Sequence, residues 1–108
     1  MSISTHVLDA ARGLPAEGVD VRLERGDGTV LGSGATDADG RCPTLTEGLV
    51  LDAGRYRMRF ETGAWFARAG TETFYPWVEV VFDVTDPEAH HHVPLLLSPF
   101  AYSTYRGS

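Results

Sequence analysis

Apolar residues recur at every second position along most of this chain, a period that fits strands with one dry and one wet face and does not fit an amphipathic helix. In "VDVRLER", Val19, Val21 and Leu23 share one face, while Asp20, Arg22 and Glu24 share the other. "GRYRMRFE" repeats the pattern, with Tyr56, Met58 and Phe60 on the dry side and Arg55, Arg57, Arg59 and Glu61 on the wet side. Similar stretches predict strands at "SISTHVLD", "TVLGSGAT", "WVEVVFDV", "HHHVPLLL" and "AYSTYR". Turn chemistry separates them at "GDG" (26–28), "DADG" (37–40) and "DP" (86–87). Only "TGAWFARAG", residues 62–70, suits a helix, about two turns long, with Trp65 and Phe66 packing it onto a sheet. Seven or eight short strands and one brief helix predict an all-β sandwich. With no internal repeat or linker, residues 1–108 read as one domain.

A chain of 108 residues, 43% of them hydrophobic, has the material to hide roughly two thirds of its unfolded surface without staples. Its single cysteine, Cys42, excludes an internal disulfide and allows a reducing compartment, so a cytoplasmic location is expected. Cys42 reads as a small buried hydrophobe, although the adjacent Arg41 makes its thiol a weak candidate for oxidation. The net charge of −6, with nine basic residues that are all arginine and form no patch, argues against a nucleic-acid partner. No apolar run approaches a membrane span, and no leader or peroxisomal signal is read at the ends.

The residues able to carry chemistry are few. The four histidines stand at 6, 90, 91 and 92. On a strand, residues two apart share a face, so His90 and His92 project together and His91 projects away. His6 shares its face with Ser4 and Leu8. Taken alone, His6 reads as a surface or hydrogen-bonded structural residue, the histidine run suits a solvated edge as well as a site, and Arg41 and the arginine row at 55, 57 and 59 suit wet surfaces. Three histidines also leave open a zinc hydrolase with His6, His90 and His92 as ligands and a fourth position for water. A non-catalytic binding module is a second alternative, since a sandwich does not fix a function.

Five stretches carry a resemblance: "STHVLD", "GLPAEGVDVRLER", "TDADGRCP", "FYPWVEVVF" and, above all, "HHHVPLLLSPFAYSTYRGS". Together they resemble the 5-hydroxyisourate hydrolases, transthyretin-like enzymes of urate degradation, over residues 4–108. The terminal "YRGS" is the most specific element. The resemblance implies an eight-stranded transthyretin-like (prealbumin-like) sandwich and hydrolysis of 5-hydroxyisourate to 2-oxo-4-hydroxy-4-carboxy-5-ureidoimidazoline, with no cofactor and no metal. It also implies a homotetramer whose active sites lie where two dimers meet. Position by position, the catalytic residues implied are His6, Arg41, His92 and Ser108, and the substrate-binding residues are His90, Tyr105 and Arg106. His91 stands where the family usually has tyrosine, and its opposite facing predicts little effect on chemistry.

Overall fold

The computed structural model describes residues 2–108. Eight strands and one helix follow in the order β1 (Ser2–Asp9), β2 (Leu14–Pro15), β3 (Asp20–Arg25), β4 (Val30–Ala35), β5 (Gly54–Phe60), α1 (Thr62–Arg68), β6 (Val78–Val84), β7 (His90–Ser98) and β8 (Ala101–Thr104). They form two four-stranded sheets, β2-β1-β7-β8 and β4-β3-β5-β6. The seven strands expected from alternation are all present. The two-residue β2 is too short to carry a period and has no such signal.

The dry faces meet as the alternation requires. Ile3, Val7, Val93, Leu95 and Leu97 of the first sheet pack against Val21, Leu23, Tyr56, Met58, Phe60, Val78 and Val84 of the second. Polar groups within this layer are paired: Thr5 Oγ1 donates to the Val93 carbonyl at 2.7 Å, and Tyr56 Oη donates to the Asp52 carbonyl at 2.5 Å. His91 also faces inward, 6% exposed, with Nδ1 3.2 Å from the Ala89 carbonyl oxygen. Phe66 buries the helix against the core, and Trp65 Nε1 donates to the Glu17 carbonyl at 2.7 Å.

Two expectations change. Glu24 is not on a wet face: it is 2% exposed, because the stems of Arg22 and Arg57 fold over it. Its carboxylate accepts from Arg22 Nε and from Arg57 Nε and Nη2, at 2.5, 2.8 and 2.5 Å. Burial by itself would raise this carboxyl, but the hydrogen bonds from Arg57 and Arg22 hold it below the ordinary carboxylate value. The neighbouring rungs pair Arg55 with Asp83, and Arg59 with Glu61 and Glu79.

The second change concerns the last strand, which ends at Thr104 and does not run through Arg106. The register that sets Leu95 opposite Thr104 would set Pro94 opposite Tyr105, where proline has no N–H to give. Thr104 Oγ1 instead donates to the Pro94 carbonyl at 2.7 Å. The chain rejoins the ladder two positions beyond Pro94, where Gly107 N–H donates to the His92 carbonyl at 2.9 Å.

Candidate functional site

The outer face of the β1–β7 pair gathers the histidines. These strands run parallel, with Ser2 opposite His90, Ser4 opposite His92 and His6 opposite Pro94. The period of two that sends Ile3, Thr5, Val7, His91 and Val93 inward sends Ser2, Ser4, His6, His90 and His92 outward. His90 and His92 lie nearly parallel, at 15° with ring centroids 6.4 Å apart. Ser4 Oγ stands between them, 2.8 Å from His92 Nδ1 and 2.9 Å from His90 Nε2. Ser2 Oγ is bonded to the remaining nitrogen of His90, Nδ1.

Arg41 comes to this face from the turn after β4. Asp37 Oδ1 accepts from the amides of Asp39 and Arg41 at 2.9 and 3.0 Å, the Asx pattern that a "DADG" sequence favours. Gly40 closes the turn at φ 79°, and a Cβ there would lie 2.3 Å from the Val7 carbonyl oxygen, so only glycine lets this loop lie against β1. Val7 N–H accordingly donates to the Gly40 carbonyl at 2.7 Å, and Arg41 forms an isolated bridge with His6. The same loop fixes the His6 ring: Nε2 lies 2.7 Å from the Asp39 carbonyl oxygen. A carbonyl only accepts, so Nε2 carries the hydrogen and Nδ1 keeps its lone pair in the neutral ring. Among the described residues Arg41 has no ion-pair partner, unlike Arg22 of β3 and Arg55, Arg57 and Arg59 of β5.

Positive groups and burial act together on His92. Its pKa is held below the ordinary histidine value by burial first, then by the charges of Arg41, His90 and His6. Neutral pH therefore leaves His92 as free imidazole, the form that can take a proton.

The tail lies against His92. Tyr105 and Arg106 line a cavity of about 150 Å³ together with His92, His91, Val93, Val80, Phe82 and Thr104. Gly107 passes so close that a Cβ would meet His92 Cδ2 at 2.4 Å. Ser108, one residue beyond, is exposed and has no side-chain hydrogen bond among the described residues.

Of the seven residues expected to form a site, His6, Arg41, His90 and His92 thus come together on one face, with Tyr105 and Arg106 beside His92. Ser2, Ser4, Asp39 and Gly107 join them. The alternation set Ser4 on the face of His6, but its contact with His92 depends on the parallel register of β1 with β7, which no local pattern encodes.

The histidines do not fit a zinc centre. His90 spends both nitrogens on serines, His92 spends one, and among the described residues no three histidine, cysteine or acidic side chains converge as metal ligands. Cys42 is the small buried residue expected, and the weaker reading of an oxidisable thiol is not met. It is buried, and burial and then Asp37 push its thiol above the ordinary value, so the neighbouring Arg41 does not activate it.

Residues 3–107 match the HIUase/Transthyretin family. The chain belongs to this family. A 5-hydroxyisourate hydrolase of Mus musculus is 46% identical over 98% of this chain and 94% of its own length. The structure of Klebsiella pneumoniae 5-hydroxyisourate hydrolase superposes with a TM-score of 0.88 at 46% identity, covering 98% of this chain and 92% of that one. The family also includes sea bream transthyretin, whose structure in complex with thyroxine superposes equally well, TM-score 0.88, at 37% identity over 97% of this chain and 93% of that one. Backbone shape therefore does not separate the hydrolases from transthyretin, and the side chains of the site must do so.

Proposed function

We propose that this chain is a 5-hydroxyisourate hydrolase of urate degradation, a single hydrolase domain that opens the ring of its substrate by adding water across an amide-like carbon–nitrogen bond. The observation that carries this reading is the meeting of a neutral, half-buried imidazole, His92, with an unpaired guanidinium, Arg41, on a face that also holds His6. A carrier of apolar ligands has little use for such a polar set, and the nearer likeness to hydrolases points the same way.

The chemistry follows from the groups. Water attacking a carbonyl must lose a proton, and His92 Nε2 is free to accept it while Ser4 occupies Nδ1. Charge then gathers on the carbonyl oxygen, and Arg41 offsets it more in the transition state than in the ground state. Its planar fork also suits a flat ring bearing several oxygens. His6, with Nε2 tied to the Asp39 carbonyl, presents Nδ1 as an acceptor that orients water or a ring N–H. His90, Tyr105 and Arg106 flank the substrate, and the Ser108 hydroxyl hydrogen-bonds the water or a ring substituent. The reaction as read here uses no cofactor.

This face is open in one protomer, and a small flat substrate needs walls on both sides. Assembly as a homotetramer, with active sites at the dimer–dimer interface, supplies them. The unpaired edges of β6 and β8 support further pairing between copies. No helix is long and apolar enough to cross a membrane, and the free Cys42 supports a cytoplasmic location.

The test is the decay of 5-hydroxyisourate generated in the cuvette by urate oxidase, followed with the wild type and with His92→Ala. Acceleration by the wild type alone is the expected result. No acceleration by either protein would overturn the assignment.

A further inference from the structure

Ser4 and His90 lie outside the reacting centre, yet they make the only link from His92 Nδ1 toward solvent among the described residues. Resting on the reading of His92 as the base, we propose that Ser4 and His90 are positioning residues that form a proton relay, holding His92 in the tautomer with Nε2 free and carrying positive charge away from it to the exposed His90.

Only two orders of hydrogen bonds are open to this row. A hydroxyl has one hydrogen, so Ser4 can donate to only one of its two imidazole neighbours and must accept from the other. If Ser4 donated to His92 Nδ1, the ring's hydrogen would sit on Nε2 and no base would face the water. The productive order is the reverse: His92 Nδ1–H donates to Ser4 Oγ across 2.8 Å, Ser4 O–H donates to His90 Nε2 across 2.9 Å, and His90 Nδ1–H donates to Ser2 Oγ. In this arrangement each bond of the row has one donor and one acceptor, which ties the tautomer of His92 to that of a ring whose centroid is 6.4 Å away.

The same row can move a proton. When His92 Nε2 takes a proton from the attacking water, the Nδ1 proton passes to Ser4 Oγ as the Ser4 proton passes to His90 Nε2. Charge is conserved: His92 becomes a neutral ring protonated on Nε2, and His90 becomes the imidazolium. The proton returns by the same path as Nε2 gives its own to the departing nitrogen.

Electrostatics favours this transfer. His92 is faced by His6 and Ser4 from β1, by His90 on its own strand, by Arg41 from the loop after β4, and by Tyr105 and Arg106 across the cavity from the tail. Asp83 lines the same cavity but is paired with Arg55 at 2.8 Å, and the other groups are not acidic, so a cation there is poorly placed. His90 is exposed, sits between two serines, and meets water directly, where a cation is better solvated.

The experiment uses the full chain and two readouts. Nitrogen-15 shifts of the His92 ring, recorded without substrate, should show the Nδ1–H tautomer in the wild type and in Ser4→Thr, and a mixture in Ser4→Ala. A wild-type ring protonated on Nε2 would overturn the relay. In turnover of 5-hydroxyisourate, Ser4→Ala should lower kcat 10- to 100-fold with KM within twofold, and Ser4→Thr should restore most of it. The kcat of His90→Ala should rise with the concentration of an imidazole buffer, as that of the wild type should not. Unchanged kcat in Ser4→Ala, or a His90→Ala rate indifferent to buffer, would overturn the proposal. A wild type that shows the Nδ1–H tautomer but no turnover would instead overturn the hydrolase reading, and with it the relay's role.

Discussion

Gly107 donates its amide to the carbonyl of His92 at 2.9 Å and lies so close to the ring that a Cβ in its place would be 2.4 Å from Cδ2. The tail is therefore fixed to the strand position of the base itself. Gly107→Ala must either lift the tail or turn the imidazole, and a displacement of about 1 Å at a reacting group can cost on the order of 100-fold in rate. We expect a loss of that size in kcat with a melting temperature close to that of the wild type, since the tail is largely exposed. Comparing hydrolysis rates with thermal melts separates the two effects, and full activity in Gly107→Ala would contradict the packing.

His92 works as a base only when neutral, and its surroundings disfavour the cation. The value of kcat/KM should rise with pH through the His92 titration and level off below neutrality, with a midpoint under the ordinary value of about 6.5. Arg41→Gln removes one cause of the depression, so its midpoint should move up toward the ordinary value. The plateau should also fall, by about 100- to 1,000-fold, as expected when a group facing the oxyanion is lost. Titrating the His92 ring by NMR checks the midpoint independently of turnover. A midpoint unmoved in Arg41→Gln would show that the guanidinium does not act on His92.

Much of this was legible in the sequence for a local reason. Alternation fixes which side chains face inward wherever a strand has one dry face, so Tyr56, Met58, Phe60 and the inward turn of His91 could be read directly. The "DADG" turn could be read as well, because Asp and Gly each satisfy a backbone requirement there. Contacts set by pairing between distant strands were not legible. Ser4 meets His92 only through the parallel register of β1 with β7, and Glu24 is buried only because Arg57, opposite it on β5, joins Arg22 in folding over it. The end of β8 was misjudged because the cause, Pro94, sits on the neighbouring strand. Local alternation gives no reason to group His6, Arg41 and His92, and only the resemblance does so.

Cys42 should be nearly inert in the folded protein. It is 5% exposed, its thiol is raised by burial and by Asp37, and a Cβ at Gly34 would stand 2.8 Å from Sγ. A disulfide reagent at pH 8 should label it at least about 100-fold more slowly in the native protein than in denaturant, because only the exposed thiolate reacts. Comparable rates in both conditions would mean that the loop after β4 opens readily, and with it the support of Arg41.

Glu24 ties the outer face of β3 to that of β5, and its contribution has a defined pH window. The carboxyl titrates lower in the folded chain than in the unfolded one, so its stabilisation is present above the unfolded value of about 4.3 and is lost as pH falls through the lower folded value. Glu24→Gln keeps the shape but gives the two arginines a neutral partner. Because both arginines remain partly exposed, the loss should fall short of that for a fully buried pair, about 1–3 kcal/mol at pH 7. Urea denaturation at pH 7 and again below the folded titration should show the two proteins converging in acid, where the wild-type carboxyl is also neutral. Equal stability at pH 7 would mean that desolvation of Glu24 cancels its bonds to Arg22 and Arg57, and a gap that persisted in acid would place the effect in packing and not in charge.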